Sequence, residues 1–329
     1  MCIRDITTMG NELRIAVISG KGGTGKTFVS VNLAVSAGER AGGPGGQTPE
    51  VAGGQTPKVA GGQTPEQPQA RSVHPWRYVD CDVEEPNGHL FLKPEAVCSE
   101  PVSVMVPAHD VSLCDGCRIC TNFCRFNALA YVRDHVKIFP ELCHGCNGCV
   151  LLCPTGAMTE SARVIGEVAC GQSDGVDVLT GTLNPGEATG VPVIQSLVHM
   201  LDKYPAAVTV LDCPPGSGCA VMECIRESDF CVLVAEPTAF GLHDMGMVAE
   251  LVRLMARPAG LLFNRCAEDS DPLVQETAER EGLPLLGTLP FDNKLAGLLA
   301  EGGVAARELP DWQEKFQAIW ERIRQEVKA

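Results

Sequence analysis

The chain of 329 residues contains no run of 18 apolar residues, and a stretch of about that length is what a membrane-crossing helix requires. Its first residues, Cys2, Arg4 and Asp5 among them, lack the apolar segment of a secretory signal peptide. A cytoplasmic location is the expectation. Positive charge is also in short supply, with 26 Lys and Arg against 41 Asp and Glu and a net charge of -15. Such a surface repels phosphate backbones and anionic headgroups, which argues against nucleic-acid and membrane binding. The missing export signal bears on the 17 cysteines as well. In a reducing compartment they point to metal sites or redox chemistry, not to a disulfide framework. With 45% hydrophobic residues, the chain can bury one large core and something smaller.

What is present begins with a glycine-rich loop. Gly20, Lys21, Gly22, Gly23, Thr24, Gly25, Lys26 and Thr27 follow the apolar run Leu13 to Ser19 and precede a helix-like stretch, Phe28 to Ala37. Glycines between a strand and a helix let successive backbone N–H groups turn inward as an anion nest, and the helix adds the positive end of its dipole. Lys26 would reach the β- and γ-phosphates of a nucleotide, and the Thr27 hydroxyl would hold Mg²⁺.

The extra lysine makes the pattern KGGTGKT, which resembles the deviant phosphate loop of the group containing MinD, Mrp/ApbC, ParA and the nitrogenase iron protein. The resemblance implies that Lys21 reaches the partner's nucleotide across an ATP-dependent homodimer. Phe28 is a departure, because these proteins usually carry Thr or Ser there.

After the first helix, the units GGQTPEVA, GGQTPKVA and GGQTPEQP repeat from Gly45 to Pro68. Each offers at most one Val to bury and cannot offset the entropy of ordering, so residues 42–70 read as a disordered loop expansion. The fold resumes with a short strand, Trp76 to Val79, ending in the acidic run Asp80 to Asn87. Carboxylates at that edge of a doubly wound sheet face the ligand crevice. The run resembles the family's first switch, in which Asp82 would position or polarise the attacking water.

Val102 to Val106 reads as another strand, and then the character changes. Cys114, Cys117, Cys120 and Cys124 are spaced C-x2-C-x2-C-x3-C, and Cys143, Cys146, Cys149 and Cys153 repeat the spacing, followed by Pro154. In such paired runs three close cysteines wrap three irons of one cubane, while the fourth reaches the other cluster. The expected ligands are therefore Cys114, Cys117, Cys120 and Cys153 for one [4Fe-4S] centre, and Cys143, Cys146, Cys149 and Cys124 for the second. Four-cysteine zinc sites prefer separated C-x2-C pairs. The segment resembles bacterial two-cluster ferredoxins, with Arg125 where Pro is usual. At this size much of its stability should come from the clusters.

Further on, Gly181 to Glu187 resembles a family loop, GxLNPGE, and leads into a helix from Val193 to Lys203. The apolar strand Ala207 to Leu211 ends at Asp212, followed by Cys213-Pro214-Pro215-Gly216. An Asp there is placed for the Mg²⁺ shell, and Gly216 could donate its N–H to the γ-phosphate. The run resembles the family's second switch. Cys219 stands seven residues after Asp212, the offset of the subunit-bridging cluster cysteine in the nitrogenase iron protein, although the second cysteine that protein needs has no clear counterpart. Strands are expected at Phe230 to Ala235 and Gly260 to Phe263, with a helix from Leu242 to Met255 between them. By resemblance Asn264 reads the adenine edge and Pro290 opens the loop on the base side. Trp312, Phe316, Ile319, Trp320, Ile323 and Val327 share one face of a final helix. Lacking a polybasic face, that helix should pack on the core and not on a membrane.

The expected fold is α/β. A doubly wound, mainly parallel-sheet P-loop NTPase domain spans 12–106 and 161–329, with a small α+β two-cluster ferredoxin domain inserted at 107–160. The layout resembles MinD-superfamily ATPases with an inserted ferredoxin domain. It implies ATP, Mg²⁺ and two [4Fe-4S] clusters as cofactors, and ATP hydrolysis as the activity. The partners would be a second copy and a redox partner or iron–sulfur client protein. An Mrp-type cluster carrier and a MinD-like positioning ATPase are the alternatives.

Overall fold

The computed structural model describes residues 12–37, 75–203, 206–267 and 272–328; the expected disordered repeat at 42–70 lies outside them. The strands are β1 (Leu13–Ile18), β2 (Trp76–Asp80), β3 (Glu95–His109), β4 (Leu129–Val132), β5 (His135–Ile138), β6 (Met158–Ser173), β7 (Val176–Leu183), β8 (Val208–Asp212), β9 (Phe230–Ala235), β10 (Ala259–Cys266) and β11 (Leu285–Pro290). The helices are α1 (Lys26–Ser36), α2 (Gly88–Leu92), α3 (Ile119–Phe123), α4 (Gly148–Leu151), α5 (Val191–Lys203), α6 (Cys219–Arg226), α7 (Ala239–Leu254), α8 (Pro272–Glu281), α9 (Asn293–Ala300), α10 (Ala305–Glu308) and α11 (Pro310–Lys328). β4 and β5 pair with each other, and the other strands form one sheet in the order β11-β10-β9-β1-β8-β2-β7-β6-β3.

From β11 to β7 this sheet is parallel. Parallel strands carry helices on both faces and therefore read as continuous apolar runs, as LRIAVI in β1 does. Leu13, Ile15 and Val17 face one core with α1 and α11, while Ala16 and Ile18 face the other with α5 and α7. Because β1 lies between β8 and β9, the segments after β1, β2 and β8 emerge side by side at the carboxyl edge, the crevice where ligands of such sheets bind.

The short strand expected at Val102 to Val106 is part of a longer one, and β6, its partner, was not anticipated. These two run antiparallel along one edge, His109 opposite Met158 and Glu95 opposite Gln172. β6 pairs with β7 only from Gly166 onward, where Gly166 faces Leu183 at the end of β7. Residues 158–165 and their partners therefore continue past the carboxyl edge as a two-stranded ribbon with no third strand paired beside it among the described residues. At about 3.3 Å per residue it reaches roughly 20–25 Å beyond the sheet. A register shift at Val102/Ser103 leaves Ile165 as the extra residue at the exit, a bulge of the kind that bends and re-aims a strand. Both cysteine runs lie between the tips of this ribbon.

Phe28 has a structural explanation. Its ring meets Trp312 and Phe316 edge-on at centroid distances of 5.5 and 5.7 Å, so an aromatic replaces a hydroxyl where α1 receives α11. Trp320 Nε1 donates to the Leu33 carbonyl at 2.8 Å, and Trp312, Phe316, Ile319, Trp320 and Ile323 are buried. The final helix thus packs on the core. Val327, expected on the same face, is exposed, because the helix runs past the end of the surface it covers. No helix among the described residues is long and apolar enough to cross a membrane.

Candidate functional site

The phosphate loop joins β1 to α1. Gly23 and Gly25 have φ of 80° and 87°, a left-handed conformation that side chains resist. A Cβ on Gly25 would also strike the Asn264 amide, whereas one on Gly22 or Gly23 would meet nothing within 4 Å. The loop is braced from outside. Asn264 Nδ2 donates to the Thr24 carbonyl at 2.8 Å, Arg265 Nη1 donates to the Gly23 carbonyl at 3.1 Å, and the Ser19 hydroxyl donates to the Lys21 carbonyl at 2.9 Å. Lys21 and Thr27 are half-buried. Thr24 Oγ1 is buried with no hydrogen-bond partner, an unmet polar atom beside an open nest, and this arrangement fits a phosphate chain.

Three carboxylates face this loop. Lys26 Nζ lies 2.9 Å from Asp212 Oδ1 and 3.6 Å from Asp82 Oδ2. Burial works against the ammonium, but the charge and hydrogen bond of Asp212, helped by Asp82, outweigh it and hold the lysine pKa above its ordinary value. Asp80 accepts the N–H groups of Asp82, Asn87 and Gly88 at 3.2, 3.1 and 2.9 Å. Burial, joined by the charge of Asp212, nonetheless lifts its pKa to about 7. Asp82 is also raised, first by burial, with Lys26 opposing.

Two features of this site were not anticipated. The Tyr78 hydroxyl donates to Asp212 Oδ2 at 3.0 Å from a wholly buried position, and Gly88 is needed because a Cβ there would strike that hydroxyl. Alternation along β2 places Tyr78 and Asp80 on one face, which was the available signal. The second feature is a latch, in which the Gly216 N–H donates to the Ser19 carbonyl at 2.9 Å. Offering that N–H to a phosphate requires the segment to move. Pro290 is half-buried at the end of β11, where the Phe291 N–H returns to the Cys266 carbonyl at 3.2 Å.

In the insert, each cysteine run follows a short 3-10 turn, Val111–Leu113 or Pro140–Leu142, and enters a short helix, α3 or α4. Left-handed residues recur at equivalent places, Gly116 and Arg118 in the first loop, Gly145 and Asn147 in the second. Repeated spacing therefore produces repeated backbone. Cys114, Cys117, Cys120 and Cys153 line one cavity with Tyr131 and Met158, so the distant Cys153 joins the first run. Cys143 and Cys146 act electrostatically on Cys149, whose pKa is pushed to about 11, chiefly by burial. Cys124 packs against the small core formed by Cys120, Leu129, Val136, Cys149 and Met158. No three His, Cys, Asp or Glu side chains among the described residues converge as ligands of one metal ion would. Thiols spread around a cavity suit a cubane, in which each iron takes one cysteine sulfur beside its bridging sulfides, better than a single tetrahedral zinc.

The insert and the nucleotide edge are in contact. The Leu183 N–H donates to the Val83 carbonyl, next to Asp82, and the Asn184 N–H donates to the carbonyl of bulged Ile165, both at 2.8 Å. Arg163, on the projecting ribbon, pairs with Glu187 at 2.6 Å and donates to the Pro140 carbonyl at 2.9 Å.

Residues 113–158 match the family described as 4Fe-4S dicluster domain. Over 265 residues the chain is 25% identical to the uncharacterized protein MJ0579 of Methanocaldococcus jannaschii, spanning 78% of this chain and 81% of that one. A stretch of 119 residues is 26% identical to the cytosolic Fe-S cluster assembly factor Nubp2 homolog of Aedes aegypti, covering 31% of this chain and 46% of that protein. Among solved structures, the septum site-determining protein MinD of Pyrococcus horikoshii matches with a TM-score of 0.54 at 17% identity, over 95% of this chain and 96% of that one. The chain has the fold of MinD-type P-loop ATPases, interrupted by a 4Fe-4S dicluster domain.

Proposed function

We propose that this chain is an ATP-binding and ATP-hydrolysing iron–sulfur protein in which nucleotide-driven dimer closure is coupled to electron transfer through two [4Fe-4S] clusters. Gly20 to Thr27 would cradle the triphosphate, and Lys26 would leave Asp212 for the β- and γ-phosphates. Thr27 and Asp212 would hold Mg²⁺, which supplies neutralisation of the phosphate charge. Asp82, freed from Lys26, would orient the attacking water, and Lys21 would reach the partner subunit's nucleotide. Gly216 would exchange Ser19 for the γ-phosphate, while Asn264 and Pro290 would flank the base. The insert would hold two clusters, Cys114, Cys117, Cys120 and Cys153 around one, a set supported by the cavity these four line, and Cys143, Cys146, Cys149 and Cys124 around the other, a set that follows from the repeated spacing. A redox partner would exchange electrons with them.

The observation that carries this reading is the unbroken run of contacts from Val83 through Leu183, Asn184 and Glu187 to Arg163 and Pro140. A ligand shifts an equilibrium only by binding its two states differently. A loop that moves when phosphate draws Lys26 and Gly216 away meets that condition, because Val83 follows Asp82 directly. Phosphate release from Mg·ATP by anaerobically purified protein tests the ATPase. Lys26→Ala should lower the rate by at least about 10²–10³-fold, the usual effect of losing one preorganised electrostatic contact, and full activity in that variant would refute the assignment.

The alternative of an Mrp-type cluster carrier is favoured by one observation, the exposed thiol of Cys219 at the start of α6, together with the stretch shared with the assembly-factor homolog. It predicts cluster transfer to an apo acceptor that fails in Cys219→Ser while both insert clusters are retained.

A further inference from the structure

Cys98 and Cys170 belong to neither cysteine run and do not touch the phosphate loop. They stand directly opposite one another on β3 and β6, with their sulfurs 3.0 Å apart. Opposed residues of an antiparallel pair have Cα separations of about 4.5–5.5 Å, inside the roughly 4.4–6.8 Å that a disulfide spans. Closing the sulfurs from 3.0 Å to the roughly 2.05 Å of a disulfide therefore asks for about 1 Å of approach. The environments of the two thiols differ: Cys98 is exposed, and Cys170 is 8% exposed, packed in the core beside α5. The strand around Cys98 is irregular, with a register shift between Glu95 and Cys98 and a left-handed Ala96 at φ 52°, so small adjustments are accommodated there.

We propose that Cys98 and Cys170 form a reversible dithiol–disulfide site whose substrate is a low-molecular-weight disulfide. The Cys98 thiolate attacks one sulfur of the small disulfide, whose S–S bond breaks, and the departing thiolate takes a proton. The Cys170 thiol then loses its proton and attacks the Cys98 sulfur, forming the Cys98–Cys170 bond and releasing a second small thiol. In total one small disulfide is reduced to two thiols, and the protein pair is oxidised by two electrons. A dithiol reductant reverses both steps. Access sets the order, since Cys98 is exposed while Cys170 is largely buried, and Cys170 lies within reach to resolve the mixed disulfide. The bond closes a chain loop that contains all eight cysteines of the two runs and fastens the two legs of the ribbon where they lie on the sheet. It is therefore a redox staple at the base of the arm that carries the dicluster domain. This assignment does not depend on the ATPase reading.

The test uses the cluster-loaded protein under anaerobic conditions, equilibrated with reduced and oxidised glutathione at graded ratios, acid-quenched, alkylated and mapped by mass spectrometry. The expected product is a peptide pair joining Cys98 to Cys170, its fraction following the two-electron dependence on the glutathione ratio while the cluster absorbance stays constant. Cys170→Ser should stall at a glutathione adduct on Cys98. Should that buried substitution prevent folding, the surface change Cys98→Ser carries the test, leaving Cys170 reduced at every ratio. Two thiols that remain alkylatable throughout would overturn the proposal. So would a wild-type adduct on Cys98 that never resolves, or a link that appears only after the clusters are lost.

Discussion

Arg163 and Cys143 share one acceptor: the Pro140 carbonyl takes the Cys143 N–H at 3.1 Å and the Arg163 Nη1 at 2.9 Å. The other arm of the guanidinium holds Glu187, whose side chain is 9% exposed. A planar fork that reaches two groups at once orients both. The turn that presents Cys143 is thereby tied to the loop that follows β7.

Arg163→Ala should separate the two halves of the molecule without emptying either. Iron content and basal ATP hydrolysis are expected to stay within about twofold of wild type, because the side-chain bonds of Arg163 go to Glu187 and the Pro140 carbonyl, and not to the phosphate loop or a cysteine sulfur. The nucleotide-induced change in the reduced-cluster EPR signal should disappear. An unchanged response in this variant would assign the coupling to other contacts.

Cys153→Ser tests how the thiols are divided. Cys153 lines the same cavity as Cys114, Cys117 and Cys120, so its loss should remove that cluster with about half of the iron, or convert it to a three-iron form with the loss of about one iron in eight. The cluster held by Cys143, Cys146 and Cys149 should keep its signal. Iron and sulfide analysis with EPR reads the result, and loss of the second cluster in place of the first would contradict the division.

The raised pKa of Asp80 predicts an unusual dependence of stability on pH. Its folded value is about 7 against an ordinary 3.8, so between those values the folded chain keeps a proton that the unfolded chain has released. Where the folded state binds more protons, stability falls as pH rises. The contribution of this group is fully present below pH 3.8 and is lost as pH climbs through 7. At about 1.36 kcal/mol per unit it amounts to a few kcal/mol at most. Thermal melts of nucleotide-free protein from pH 5 to 8 should show this loss, and Asp80→Asn should flatten it. A slope identical in both proteins would rule out Asp80 as its source.

Motifs defined by close spacing were legible in the sequence, and structure set by distant packing was not. The phosphate loop and the two cysteine runs are local, since their geometry follows from a few consecutive residues. Tyr78 could be counted into β2, but nothing nearby shows that its hydroxyl meets Asp212, 134 positions away. The ribbon is illegible in the sequence for another reason. Its outer half is solvated, with Ser161, Ala162 and Val164 exposed, so the apolar alternation that marks a half-buried strand is weak there. Phe28 looked like a departure from the resembled pattern until Trp312 and Phe316 supplied its partners. Asn264, expected at the adenine edge, also braces the phosphate loop through the Thr24 carbonyl, a contact across 240 positions that nothing near it in the sequence shows.

Nucleotide bound at the carboxyl edge of the sheet should be felt by iron at the end of the ribbon. The most direct test is EPR of the anaerobically reduced protein with and without Mg·ATP, accompanied by potentiometric titration of both signals. Two [4Fe-4S] signals are expected, whose line shape or midpoint changes when nucleotide binds and which no longer respond in Lys26→Ala. Signals and potentials identical in the presence and absence of Mg·ATP, in protein shown to bind it, would mean that the two sites are uncoupled.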